Sequence, residues 1–325
     1  MRGSWGLLTG VAVAAPFLLG AFAAPADDPD VVFRFQDPQV VESSGLVVQD
    51  GLFVTTNDSG DTGRVFSVDP ATGETVGVTT WADAPLDVEA LAPGTNGRVW
   101  VADIGDNEAE RSSVEVARVA IGRGEREGAA ATYELAYPKR PADAETLLAH
   151  PVTGRLYVAT KGVFGGDLYA APRELDPDGV NELRRLDRII PIATDGAFFP
   201  DGRHLVLRDY GRAVIYTFPG LEVVADLDLP EQEQGEGIAV SPEGEVFVSS
   251  EGREAPVLRV PLPPAVQEQV EAPVTATPSP TVPGSREGRE LPETTDTGRP
   301  ALPWFVGGWI GLGVIVAVMF ALRRR

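Results

Sequence analysis

“GTNGRVWVADIGDNEAER”, residues 94–111, holds a tight turn, a strand and an acidic loop in that order. Gly94, Asn96 and Gly97 supply the backbone freedom of a hairpin turn, and Val99, Trp100 and Val101 are the β-branched and aromatic residues that strands favour. The same succession recurs as “QDGLFVTTNDSGD” (49–61), “PVTGRLYVAT” (151–160), “PDGRHLVLRD” (200–209) and “PEGEVFVSS” (242–250). Each copy follows a short opening of one type: “ESSGL” at 42, “DVEAL” at 87, “DAETL” at 143, “TDGAF” at 194 and “GEGIA” at 235. Spacings of roughly 40 to 56 residues between openings lie in the range of propeller blades.

Working outward, a third strand follows in every unit (“RVFSVD”, “VEVARVA”, “DLYAAP”, “AVIYTF”, “PVLRVP”). A fourth follows in the first four (“ETVGVTTW”, “ATYELAY”, “ELRRLDRII”, “LEVVADLDL”). The fifth unit lacks one, and “VVFRFQ” at 31–36 is spare to complete it. The pattern predicts an all-β, five-bladed β-propeller closed by its N-terminal strand. Six blades are the alternative if the long second and third units hide further strands. “GRGEREG” at 122–128 has neither the Lys-Ser/Thr of a P-loop nor a following helix, and reads as a long blade loop.

The flanks give the expected setting. Residues 1–23 have a basic start, an apolar run from Leu7 to Leu19 and the small-x-small signal Ala21-Phe22-Ala23, the pattern of a secretory leader. Residues 263–303 carry nine prolines with Ser, Thr and Glu, which predicts a disordered stalk. Residues 304–322 are 19 uncharged residues followed by Arg323, Arg324 and Arg325, as in a single membrane-crossing helix with a cytoplasmic tail. Gly307 and Gly311 form a GxxxG pair within that span, a spacing that also arises from the general abundance of glycine in such helices. “LPETT” at 291–295 resembles a Gram-positive cell-wall sorting signal, but Thr295 stands where that signal has glycine; sortase attachment is therefore the alternative to a retained helix. On this reading the propeller, residues 24–262, lies outside a bacterial cell.

Composition narrows the chemistry. All 48 acidic residues fall between residues 24 and 303; Arg2 and the three terminal arginines do not, which leaves 23 basic residues there and 25 net negative charges. Such a field argues against nucleic acid and anionic lipid as partners. There is no cysteine, so no disulfide frame supports the domain. Lys139 and Lys161 stand against 25 arginines, the bias of a high-GC bacterial genome.

Aligning the openings puts Ser44, Glu89, Glu145, Asp195 and Glu236 at equivalent inner positions. Counting fourteen residues on from the first, second and fourth reaches Asp58, Asp103 and Asp209, with Lys161 and Glu251 near the same register. Glu89, Glu145, Glu236, Asp58, Asp103 and Asp195 are thus the candidate metal ligands at one mouth of the channel, and Lys161 and Arg208 the candidate binding cations. Crowded carboxylates need a cation or protons, and an oxygen-only donor set favours Ca²⁺ over zinc. The competing role for Asp58, Asp61, Asp103 and Asp106 is to accept backbone N–H bonds in Asx turns. His150 and His204 sit beside hairpin turns, and no GxSxG nucleophile elbow is present.

The strand openings and the “NDSGD” and “DIGDN” loops resemble secreted bacterial propellers of the gluconolactonase-like, quinoprotein-like and esterase-like phytase group, over residues 31–262. In lactonase-type members a Glu with Asn and Asp from other blades binds a divalent metal that polarises an ester carbonyl. The resemblance implies that Glu89 or Glu236, with Asn57 or Asn107 and Asp103, is the analogous set. Two functions follow: a non-catalytic surface module for an extracellular ligand or protein, or a metal-dependent hydrolase of a lactone or phosphate ester.

Overall fold

The computed structural model describes residues 30–271 except 59, 82–84 and 129–130. The expected leader, most of the stalk and the apolar span 304–322 lie outside the described residues. Among the described residues, twenty-two strands form five antiparallel-cored sheets around a channel. β1 (Asp30–Arg34) comes first. The first blade follows with β2 (Ser43–Gln49), β3 (Leu52–Asn57), β4 (Arg64–Val68) and β5 (Thr75–Thr80). The second has β6 (Val88–Pro93), β7 (Arg98–Asp103) and β8 (Val114–Ala120); after β9 (Gly124–Glu127) comes its outer strand β10 (Ala131–Ala136). The third has β11 (Ala144–Ala149), β12 (Leu156–Thr160) and β13 (Asp167–Ala170); after β14 (Val180–Glu182) comes β15 (Arg184–Arg188). The fourth is β16 (Asp195–Phe198), β17 (His204–Arg208), β18 (Arg212–Thr217) and β19 (Val223–Asp228). The fifth is β20 (Gly235–Val240), β21 (Val246–Ser250) and β22 (Pro256–Val260).

Five blades are therefore present, and the spare strand does what its sequence predicts. β1 pairs antiparallel with β22, so the fifth blade is built from both ends of the domain. Burial drives this closure. Phe33 packs edge-on against Phe35 and Phe53 at 5.5 and 5.0 Å, and Phe53 against Phe247 at 5.1 Å, joining the first and fifth blades in one apolar cluster.

Two features differ from the sequence expectation. “GRGEREG” does not remain a loop: its centre becomes β9, which pairs in parallel with β5 on the outer edge of the first blade. Close backbone approach permits it, since a Cβ on Gly77 would lie 1.9 Å from the Gly122 carbonyl oxygen. β14 likewise adds in parallel to β10 on the second blade. Each insertion thereby covers the exposed edge of the preceding blade, and the charged sequence of β9 makes a poor template for further strands. The second difference is α1 (Pro264–Val270), formed by the first residues of the stretch read as stalk. Val266 and Val270, four residues apart, are buried against the cluster containing Val240 and Val260. That contact offsets the low apolar content of the segment.

Candidate functional site

The geometry of the channel starts from β-bulges. β2, β6, β11, β16 and β20 are the innermost strands. In β6 the ladder register skips from Val88 to Ala90, in β11 from Ala144 to Thr146, and in β20 from Gly235 to Ile238. The residues left out of the pairing are Glu89, Glu145, and Glu236 with Gly237. A bulge frees its residue from the alternation of the pleat and re-aims the side chain. Three glutamates are thus presented at one mouth while the strands on either side keep their apolar packing. The fourth blade has no such bulge, and Asp195 stays in register opposite Arg208.

Glu89 is brought together with Asp58, on the loop after β3, and Asp87, just before β6. One carboxylate oxygen of each lies within 4.8 Å of the others. The “DIGDN” loop makes the space: a Cβ on Gly105 would come within 2.3 Å of Asp87 Oδ2 and 2.8 Å of Glu89 Oε1. Ser44 Oγ donates to the Glu89 carbonyl oxygen at 2.7 Å, holding the second blade's bulge to the first blade.

Crowding and burial set the protonation. Burial, then the charges of Asp58, Glu145, Asp87 and Asp143, push Glu89 up to about 10. Asp87 is raised by burial and by Asp58, Asp143 and Asp103. Burial also carries Glu145 up to about 8, although Lys161 pulls the other way. Lys161 Nζ donates to Glu145 Oε1 and stands 5.6 Å from the Tyr210 ring centroid. Burial lowers the basicity of Lys161, but the bond to Glu145 more than offsets this and leaves it raised. Glu145 Oε2 is buried with no hydrogen-bond partner. Glu236 is raised by burial against the pull of Gln234, Lys161 and Arg208.

The other predicted residues have different work. Asp103 accepts the N–H groups of Leu86 at 2.8 Å and Asp87 at 3.0 Å and pairs with Arg111 at 2.7 Å. It fixes the backbone that carries Asp87. Asn57 Oδ1 does the same in the first blade, accepting from Val41 and Glu42. Ladder pairing matches Asn57 with Ser43 and Asp103 with Val88, so the equivalent of Asp103 is Asn57 and not Asp58. The fourteen-residue count fails because it passes through hairpins of different length, closed by Gln49–Leu52 in one blade and Pro93–Val99 in the other. Asp106 accepts from Glu110 and Arg111, and Asp61 pairs with Arg64, both in the turn role. Asn107 is exposed.

Asp195 and Arg208 are frame residues. Asp195 accepts N–H bonds from Leu46 in the first blade, Ile238 in the fifth and its own neighbour Gly196. Arg208 is fully buried and donates to the carbonyls of Gly237 and Ser249, binding the fourth blade to the fifth. Burial pushes it down to about 10, so it remains a cation at neutral pH. Asp87 is the ligand candidate that sequence reasoning missed. Its signal was present, since Glu42, Asp87 and Asp143 all stand immediately before an inner strand.

All donors of the Asp58–Asp87–Glu89 group are carboxylate oxygens. This set fits a hard divalent cation. Gly105→Ala is expected to crowd Asp87 and Glu89 apart and weaken Ca²⁺ binding by about tenfold, some 1.4 kcal/mol, in isothermal titration. An unchanged affinity would mean that the ion does not use this pair.

No family model matches this chain, and no curated protein matches it. Among solved structures, a gluconolactonase from Xanthomonas campestris aligns with a TM-score of 0.45 and 15% identity, over 74% of this chain and 96% of that chain. A likeness at that level assigns the chain no chemistry; the five blades are given by its own strand topology.

Proposed function

We propose that this chain is a divalent-cation-binding propeller, displayed outside the cell on a membrane or wall anchor, that presents the ion to an oxygen-bearing ligand or partner. The observation that carries the reading is the Asp58–Asp87–Glu89 group, drawn from two blades onto one point. Like charges at that spacing are costly unless protons or a cation compensate, and the Gly105 cradle holds them there regardless. Ca²⁺ is the proposed ion. The leader and the apolar span of the sequence support the placement.

A second reading is hydrolysis of a lactone or phosphate ester, where a bound cation would polarise the carbonyl or phosphoryl oxygen. What favours it is Glu145: a buried carboxyl brought to about 8 and bonded to Lys161 can hold or release a proton near neutral pH. Calorimetric titration of the full chain is expected to show one Ca²⁺ per molecule, lost in Glu89→Gln and kept in Glu245→Gln, a half-exposed position away from the mouth. Equal binding by both variants would remove the proposed site. Calcium-dependent turnover of a lactone or phosphate-ester panel, abolished by Glu145→Gln, would select the hydrolase over the binder.

A further inference from the structure

The opposite mouth of the channel is built differently. There the hairpin turns between the first and second strands of the blades surround a cavity of about 700 Å³, lined by residues from all five blades. Its inner end is apolar: Leu46, Leu91, Ala197 and Ala239. Its outer end is made by turn residues such as Asp50, Asn96, Thr153 and Pro242. The Asp195 carboxylate, bonded to the Leu46 N–H above this inner end, stands between the cavity and the acidic mouth. A concave, mostly apolar site of this size with few polar groups is the usual form of a small-molecule pocket, for which roughly 300–1,000 Å³ is typical.

Arg118 gives the pocket its character. In a domain rich in acid, the charged side chains lining the cavity are Asp50 and Arg118. Among the described residues no carboxylate lies within ion-pair distance of Arg118. Its guanidinium lies over Trp100 at 5.3 Å, its Nη2 donates to Thr95 Oγ1 at 3.3 Å, and its Nε is buried without a hydrogen-bond partner. A guanidinium held over an aromatic ring with no carboxylate partner suits an anion in the cavity it lines. On the next blade, His150 Nδ1 accepts the Val152 and Thr153 N–H groups, and so fixes a turn that lines the same cavity.

We infer that this mouth is a second binding site, for a small organic carboxylate with an aromatic or aliphatic body. The carboxylate meets Arg118, and the body enters between Trp100 and the apolar inner end. The site is independent of the acidic mouth and of any ion bound there.

The test uses the full chain in chelator, with 2-naphthoate, 4-phenylbutyrate and decanoate as probes and 2-naphthamide as the uncharged control. Titration calorimetry is expected to show one saturable site for at least one carboxylate. Arg118→Gln should weaken it by about tenfold or more, the effect of losing a charge-assisted bond. Val152→Glu, a change at a residue 73% exposed on the rim, should weaken it through repulsion without touching the fold. The amide should bind wild type and Arg118→Gln alike, and added Ca²⁺ should change nothing. No saturable binding of any carboxylate at millimolar concentration, or equal affinities in wild type and both variants, would overturn the inference.

Discussion

Asp195→Ala is expected to be the most damaging single substitution in the channel, lowering stability by about 3–5 kcal/mol. Asp195 is fully buried, and its two oxygens accept three backbone N–H groups from three blades: Leu46 at 3.3 Å, Ile238 at 2.8 Å and Gly196 at 2.8 Å. Alanine takes the acceptor from those donors, at about 1–3 kcal/mol for each orphaned group. It also removes a negative charge that acts on the buried Arg208. Burial raises the Asp195 carboxyl well above its usual range, while the three N–H bonds and Arg208 oppose that shift. The carboxylate is therefore a costly group kept for what it joins. In a propeller, adjacent blades meet mainly through side-chain packing, so a side chain that hydrogen-bonds the backbones of three blades bears on ring closure itself. Thermal unfolding should show a midpoint roughly 10 °C lower or more, using about 2–4 °C per kcal/mol for a domain of this size. Asp195→Asn should fall between, because one carbonyl oxygen survives while the new amide donors face other donors. A midpoint for the alanine variant within a degree or two of wild type would show that the staple is dispensable.

The repeat made the fold legible and the site only half so. Turn glycines, β-branched runs and the spare N-terminal strand are local signals, and local signals sufficed for blade number and ring closure. β9 was hidden because “GERE” has no apolar alternation; it is a strand only because the edge of β5 offers it partners. Glu89, Glu145 and Glu236 were legible as inner residues, since each breaks an otherwise apolar opening. Asp87 was visible only as one of the acidic residues, with Glu42 and Asp143, that precede an inner strand; its role depends on Asp103 holding the loop and on Gly105 leaving room, contacts between segments that the repeat does not encode. The Arg118 pocket is still further from the sequence. Its parts come from five turns that resemble ordinary hairpins one by one, and their convergence is a property of the closed ring.

Stability of the chain in chelator is expected to fall as pH rises from about 5 to 9, and Ca²⁺ is expected to abolish most of that fall. Glu89 is held at about 10 by burial and then by neighbouring carboxylates, and Glu145 at about 8 by burial against the pull of Lys161, whereas both carboxyls ionise near 4.5 once unfolded. Between those limits the native state keeps protons that the unfolded chain has released. Their contribution is therefore complete below the unfolded value and is lost as pH climbs through the folded one. Each such group can tilt stability by up to about 1.4 kcal/mol per pH unit within its window. Asp87 and Glu236 are shifted in the same direction, and Glu251 is carried to about 7 by burial and by Glu236 and Asp58. A cation bound to Asp58, Asp87 and Glu89 does the work of the missing protons, so its advantage grows as those protons leave. At a hundredfold excess over Kd, binding to the native state alone adds about 2.7 kcal/mol, or roughly 5–10 °C. Midpoints measured across the pH range with Ca²⁺ and with chelator should diverge steadily upward in pH. In Glu89→Gln the chelator curve should be flatter, because the group held at about 10 is gone, and the gap between the two conditions should close. Two parallel curves in the wild type would mean that proton and metal do not share these carboxylates, and would move the ion away from the channel mouth.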